Sequence, residues 1–259
     1  MPTPSNTSQV HGIFETLAVL DGQPRLVQRH LTRLFDGCRR LGMRAPTEAL
    51  LVAAIATHAA LPGTGVVKVI MPQGGTADPE RLPHVRAEPP RQRPAAWAQT
   101  GVCIITCSTR LPVQPEVAGL KLLDRSLQER ARREWSSDEI AEGLMLDADG
   151  RLVSGTMTNV FAVIDGSLCT PAISRCGVAG VMRAELLEAW QRSAQSITVR
   201  DIDPAELHTA SEIFLSNALI GVWPVRALDG RTFNVGPAAR FAARTSKELS
   251  SCPKPLLQA

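Results

Sequence analysis

Lysine is scarce in this chain. Lys68, Lys121, Lys247 and Lys254 are the only four among 259 residues, and arginine carries the rest of the positive charge. Other absences narrow the function before any motif is read. The net charge is only +3 and the arginines are spread out, so the concentrated basic face of a nucleic-acid binder is missing. Arg39-Arg40 and Arg132-Arg133 read as solvated helix faces. The longest apolar stretch, Leu50 to Leu61, is broken by Thr57 and His58 and is too short to span a bilayer. Met1 to Gln9 is polar, without the apolar centre of a secretory signal. The six cysteines include no Cys-x-x-Cys pair, and Cys103 and Cys107 sit in an apolar run. Buried thiols are therefore expected, with no disulfide and no metal site. A soluble cytoplasmic protein without membrane or nucleic-acid partner is the expectation.

What is present suffices for a core. At 44% apolar content the chain is long enough for one large or two modest domains. Ile13 to Leu20, Asp21-Gly22 and Arg25 to Val27 predict a hairpin. His30 to Met43 carries a helical stripe, and Glu48 to Ala60 predicts a second helix stopped by Pro62-Gly63. Val66 to Met71 and Leu82 to Ala87 read as strands. Residues 1–88 thus form a small α/β domain. Residues 89–96 hold Pro89, Pro90 and Pro94, a density that forbids regular structure, and read as a linker. Residues 97–259 form the larger domain. Its strands are expected at Gly101 to Ser108, Ile140 to Leu146, Asn159 to Ile164, Leu168 to Thr170 and Glu212 to Leu215. Its helices are expected from Lys121 to Trp135, Val181 to Ala194 and Arg240 to Leu249. Asp147-Ala148-Asp149-Gly150 lacks the ligands of a calcium loop and reads as a hairpin turn.

Lys68 lies in an apolar strand, and Lys247 and Lys254 lie near the C-terminus. Only Lys121 stands in a context that looks like a site. A desolvated lysine amine is a nucleophile toward carbonyl carbon. By position alone Lys121 also reads as a solvated residue at a helix start.

The surrounding run decides between these readings. Arg110-Leu111, a proline-containing spacer and Ala118-Gly119-Leu120-Lys121-Leu122-Leu123-Asp124-Arg125 resemble the lysine segment of the fold type IV pyridoxal-phosphate enzymes, the class IV aminotransferase family. Leu122 and Asp124 depart from its usual His and Asn. Further pieces follow in the family's order: Phe14-Glu15-Thr16, His30-Leu31-Thr32-Arg33-Leu34, Glu142 to Asp147, Asn159-Val160-Phe161, Gly177 to Arg183, Glu212 to Ala218 and Trp223-Pro224-Val225. The resemblance is to the aminodeoxychorismate lyase branch. Arg125 favours that branch, and the absence of tyrosine argues against the branched-chain transaminases' lysine run.

The resemblance implies a two-domain fold type IV architecture, α/β (α+β) in class. The small N-terminal domain is α/β, and the larger cofactor-binding domain is a mixed sheet or barrel. It implies pyridoxal 5'-phosphate as cofactor, with Lys121 as attachment point and catalytic base. Phosphate donors would come from Arg33, from Gly180, Val181 and Met182 at a helix start, and from Asn217 and Ala218. Arg33 alone reads equally as a surface arginine, and the two backbone segments as an ordinary helix start and a plain turn. Arg110 and Arg125 become candidates for the substrate's carboxylates, with surface roles as the alternative for each. Ser154 falls where the family has a glutamate facing the cofactor's ring nitrogen. A hydroxyl leaves that nitrogen largely neutral, which suits elimination better than amino transfer. Pro72-Gln73-Gly74-Gly75-Thr76 keeps the family's glycines and loses its two arginines. The expected function is elimination of pyruvate from 4-amino-4-deoxychorismate, giving 4-aminobenzoate for folate synthesis, by a homodimer. The alternatives are a transaminase of D- or branched-chain amino acids and a degenerate, non-catalytic homologue.

Overall fold

The computed structural model describes residues 12–73, 83–193 and 196–251. Gly74, Gly75, Cys252, Lys254 and the first eleven residues lie outside that range. Two sheets organise the chain. The first is four-stranded and antiparallel, ordered β2 (Gln23–Pro24), β1 (Gly12–Leu20), β3 (Val66–Pro72), β4 (His84–Glu88). Helices α1 (Val27–Arg40) and α2 (Glu48–Ala59) cover one face. Strand alternation separates the two faces. Ile13, Leu17, Val19, Val67, Val69 and Met71 pack into a core with Leu31, Leu34 and Ile55. Phe14, Thr16 and Lys68 point to the opposite face, where they line a cavity. The helix α2 is started by Thr47, whose Oγ1 accepts from Leu50 N at 3.3 Å.

Residues 89–94 have no regular structure. Beyond them come α3 (Trp97–Thr100), β5 (Val102–Leu111), α4 (Ser126–Arg132), β6 (Ile140–Asp147), β7 (Leu152–Gly155), β8 (Asn159–Ile164), β9 (Ser167–Pro171), α5 (Val181–Arg192), β10 (Ile197–Arg200), β11 (Glu212–Asn217), β12 (Gly221–Leu228), β13 (Arg231–Thr232) and α6 (Pro237–Ser251). A 3-10 turn spans Pro204–His208. The strands form one mixed, curled sheet in the order β10-β9-β8-β11-β12-β5-β6-β7, with β13 against β12. Helices α5 and α6 pack on it through aromatic rings. Phe161 and Phe214 stack with centroids 4.8 Å apart, and Trp190 meets Phe241 at 4.8 Å.

The helix expected from Lys121 is corrected. It begins only at Ser126, where Asp124 Oδ1 accepts from Ser126 N at 2.9 Å, and it ends at Arg132. Residues 119–123 are not helical because their backbone bonds go to β1 on one side and to the loop before α5 on the other. Phe14 N donates to Lys121 O at 3.0 Å and Leu123 N to Gly12 O at 2.9 Å. On the other side Gly119 N donates to Gly177 O at 2.9 Å and Ala179 N to Gly119 O at 3.0 Å. The lysine segment is thus a rung strung between the two halves of the molecule. Strands β7, β10 and β13 and helix α3 are short elements that the pattern did not predict.

Candidate active site

A cavity of about 750 Å³ lies between the sheets, lined on one side by Phe14, Thr16 and Lys68 and on the other by Ser154 to Asn159 and Asn217 to Ile220. Lys121 enters it from the rung. Its Nζ lies 4.5 Å from the centroid of the Phe14 ring. Burial pushes the amine's pKa down to about 7, helped by the charges of Arg33, Arg125 and Lys68 and opposed by Glu15. Among the cavity's lining groups it is therefore the amine poised to be neutral near neutral pH.

Beneath it, α1 meets β1 in a buried charge cluster. Glu15 points toward α1, two residues from Ile13 and Leu17 on the same strand face. Arg33 donates to it twice, Nε to Oε1 at 2.7 Å and Nη2 to Oε2 at 2.5 Å. The third arm, Nη1, donates to Ala179 O at 2.9 Å. Two guanidinium N–H bonds remain for a ligand. His30 Nδ1 lies 2.6 Å from Glu15 Oε2. Burial, Arg33 and Lys121 push the imidazole's pKa down, so His30 is neutral and its Nδ1–H donates to Glu15. His30 lines the cavity, and its buried Nε2 has no protein partner.

Gly180 caps α5 in an extended conformation, and Val181 begins the helix. Both line the cavity, presenting a helix N-terminus to it. Glycine is required here: a Cβ on residue 180 would stand 2.0 Å from Asn159 Oδ1. Asn159 in turn holds the preceding loop, Nδ2 donating to Val178 O at 2.9 Å. Met182 departs from expectation in its side chain, which is buried against Phe161, Leu186 and Trp190 rather than in the cavity. Met182 is not among the cavity's lining residues. Asn217 and Ala218 line the cavity, and Asn217 Oδ1 already accepts from Leu219 N at 2.8 Å and Ile220 N at 2.9 Å. That bonding fixes the turn and uses those two donors.

The turn from Gly155 to Thr158 is gripped from two sides. Glu142 is fully buried, and its carboxyl oxygens accept from Thr156 N and Met157 N at 3.1 Å each, from Thr158 Oγ1 at 3.1 Å, and from Thr156 Oγ1. Arg125 lines the cavity and donates from Nη2 to Thr156 O at 2.5 Å. Ser154 also lines the cavity, and its hydroxyl donates to Gly155 O at 2.9 Å.

Arg110 is not among the cavity's lining residues. Strand alternation in β5 turns Cys107, Thr109 and Leu111 inward and Ser108 and Arg110 outward. The Arg110 guanidinium donates to Cys107 O at 2.6 Å and Ser108 O at 2.9 Å. The structure instead brings Lys68, Arg91, Arg93, Arg132 and Arg133 to the cavity. The reading of Arg132-Arg133 as a plain solvated face is thereby corrected. The missed residues did leave a signal. Lys68 and Glu142 are single charges inside apolar strands, a placement that is rare without a partner or a function. Five cysteines, 38, 103, 107, 169 and 176, are free thiols, and burial holds the thiols of Cys38, Cys107 and Cys176 above their usual pKa. No group of metal-ligating side chains occurs among the described residues. Among them no helix is long and apolar enough to cross a membrane.

The model of the class IV amino-transferase family matches residues 12–228. This chain belongs to the class IV aminotransferase family. The crystal structure of 4-amino-4-deoxychorismate lyase from Pseudomonas aeruginosa superposes with a TM-score of 0.84 at 44% identity, covering 92% of this chain and 90% of that one. An aminodeoxychorismate lyase of Vibrio harveyi is 38% identical over 157 residues, which is 60% of this chain and 58% of that protein's length. A bifunctional aminodeoxychorismate lyase and D-amino acid transaminase of Mycobacterium tuberculosis is 24% identical over 90% of this chain and 86% of its own. The class IV family uses pyridoxal phosphate, and the cavity's chemistry fits that group. It offers a buried amine whose pKa is lowered to about 7, a helix N-terminus beside a guanidinium with free N–H bonds for the phosphate, and the unpartnered buried Nε2 of His30.

Proposed function

We propose that the chain is an aminodeoxychorismate lyase, a pyridoxal-phosphate-dependent enzyme that splits 4-amino-4-deoxychorismate into 4-aminobenzoate and pyruvate. The observation that carries the reading is Lys121: an amine with its pKa lowered to about 7, in a cavity lined by further cations, in a fold 44% identical to a lyase over nearly its whole length. Arg33, Gly180, Val181, the Met182 N–H at the start of α5 and Ala218 would hold the cofactor's phosphate. Bound pyridoxal phosphate supplies electron withdrawal from the carbon that carries the substrate amine.

The rest is done by the chain. Lys121 Nζ takes the proton from ring C4, because its neutral fraction is large near pH 7. The C3–O bond then breaks, and enolpyruvate leaves with the bonding pair. Lys121 stands ready to return the proton to it, giving pyruvate. Loss of both groups makes the ring aromatic, which drives the step. Ser154, with its hydroxyl turned to Gly155 O, offers no negative charge to a ring nitrogen. That favours elimination over amino transfer, in which a proton must be delivered back to the cofactor carbon.

A division into residues 1–88, a linker at 89–96 and residues 97–259 goes with this reading, as does a cytoplasmic homodimer. Leu20, at the edge of the cavity, is 44% exposed in the single chain, an apolar side chain that a partner subunit would cover. Purified protein loaded with cofactor should release pyruvate and 4-aminobenzoate in equal amounts from 4-amino-4-deoxychorismate. Brisk amino transfer to a keto acid without pyruvate release would give the site to a transaminase instead. Full cofactor loading with neither activity would make it a degenerate homologue.

A further inference from the structure

Resting on the lyase reading, we infer that Arg93, held on the proline-rich segment between the sheets, is the residue that reads a carboxylate of the substrate. Arg133 lines the cavity but is solvent-exposed, so water serves it, and the other arginines of the cavity differ in what they already hold. Arg33 is paired with Glu15, Arg125 Nη2 is on Thr156 O, Arg132 Nη1 donates to Ala141 O at 2.9 Å, and Arg91 Nη2 lies 3.6 Å from Glu88 Oε2. Among the described residues Arg93 meets no oxygen acceptor. Its Nη2 points at the sulfur of Met157 at 3.6 Å, and its guanidinium lies over the Trp223 ring, 5.6 Å from the centroid.

A half-buried guanidinium without an anion is costly, and its neighbours add to the cost. Arg132 and Arg91 both bear on Arg93 as like charges, with Glu142 the only opposing one. A ligand carboxylate relieves both the missing hydrogen bonds and the crowding. The cations that bear on Lys121 are a different set, Arg33, Arg125 and Lys68. The cavity therefore has one cationic group around its amine and a second around Arg93. A substrate with an amine to meet Lys121 and carboxylates elsewhere matches that layout.

Arg93 is also held in place before any ligand arrives. Pro90 packs so closely on Gly65 that a Cβ there would stand 2.4 Å from it, and Gly65 N donates to Glu88 O at 3.0 Å. Beyond Arg93, Pro94 and the edge-on contact of Trp97 with Trp223 at 5.0 Å fix the other end. The Trp223 ring beneath the guanidinium completes the platform. Little side-chain freedom is left to lose on binding.

The test uses the cofactor-loaded enzyme, with chorismate as probe. Chorismate has the same ring and both carboxylates but a hydroxyl in place of the amine, so it binds without reacting. Arg93→Gln is expected to raise the chorismate Kd and the substrate KM by about tenfold or more. Its kcat at saturation should stay within about threefold, since the amine end is untouched. Arg93→Lys, which keeps the charge and loses the fork, should recover part of the affinity. Unfolding midpoint and cofactor absorbance of both variants report whether the fold and the cofactor site are intact. If the wild type makes pyruvate while Arg93→Gln leaves Kd and KM unchanged, the assignment is wrong and the lyase reading stands. The assignment is equally overturned if Arg110→Gln produces the loss and Arg93→Gln does not, or if the wild type fails to bind chorismate. If the wild type makes no pyruvate but binds chorismate through Arg93, the anion site stands and the lyase reading falls.

Discussion

Arg33 and Glu15 face each other through two parallel hydrogen bonds, at 2.7 and 2.5 Å, across the junction of α1 and β1. The pair is a bidentate fork on a carboxylate only 2% exposed. It holds one of the cavity's permanent positive charges beside Lys121, and Arg33 Nη1 ties it to the loop before α5.

This pair makes the enzyme acid-sensitive. Burial alone would raise the Glu15 pKa, but Arg33 and His30 outweigh it and hold the carboxyl at about 2 instead of 4.5. A carboxyl whose pKa is lowered by folding stabilises the fold above its unfolded value. That stability is lost as the pH falls from about 4.5 through about 2. Glu15→Gln should cost on the order of 3 kcal/mol at neutral pH, because it strands Arg33. The gap to wild type should narrow below pH 4.5, where the unfolded wild-type chain takes up a proton that the folded one does not bind until about pH 2. Urea unfolding of both proteins between pH 7 and pH 3 measures the gap. A gap constant across that range would show that the Glu15 charge is not the source.

The second expectation concerns the amine. With cofactor removed, re-attachment should speed up as pH rises through about 7 and level off above it. An unperturbed lysine would keep gaining up to its ordinary value of 10.5. Lys121→Ala should lose the visible absorbance of the attached cofactor and all turnover. Borohydride reduction and peptide mapping should mark Lys121. A mark on Lys68, whose Nζ lies 4.9 Å from the same Phe14 ring, would move the site.

Much of this layout was legible in the residues. The order of elements, the buried thiols and the α5 start at Gly180 came from local patterns, whereas Lys121 stood out only through the resemblance of its whole segment to the family. What was not legible depended on contacts far apart in sequence. The non-helical conformation at Lys121 is imposed by β1, more than a hundred residues earlier, and overrides a helical pattern. Arg110 and Arg93 look alike in sequence. Strand alternation turns the first away, and a stiff proline segment brings the second in. Met182 shares the helix start with Gly180 and Val181, but the apolar demand of the core takes its side chain.

Ser154 decides between reaction classes. It lines the cavity, so the longer side chain of Ser154→Glu has room to enter. A carboxylate within hydrogen-bonding reach of a basic nitrogen raises its pKa by roughly one to three units, about 1.4 kcal/mol each. The variant should gain amino transfer to a keto acid by about tenfold or more, and pyruvate release should rise less or fall. Parallel assays of both products on wild type and variant read the ratio. An unchanged ratio with full cofactor loading would mean that residue 154 does not face the ring nitrogen.

Glu142 sets the shape of the floor on which these residues act. Its two oxygens accept from the backbone and hydroxyls of Thr156, Met157 and Thr158, while Arg125 holds Thr156 O from the other side. The donors facing Glu142 cannot all turn away, because three of them, on Gly143, Thr156 and Met157, are backbone N–H groups. Glu142→Gln puts an NH₂ where an acceptor is required. Whichever way the amide is turned, one set of donors meets another donor in a buried place. The cost should be about 2 to 3 kcal/mol of stability. The turn also lines the cavity, so cofactor affinity should fall with it, by roughly tenfold for each 1.4 kcal/mol that reaches the site. The pH midpoint for attachment through Lys121 should stay near 7, since Glu142 is not among the charges that set it. Urea unfolding, cofactor titration and the attachment profile of the one variant separate these effects. A variant that loses stability yet binds cofactor as tightly as wild type would show that the turn is a scaffold element and not part of the floor.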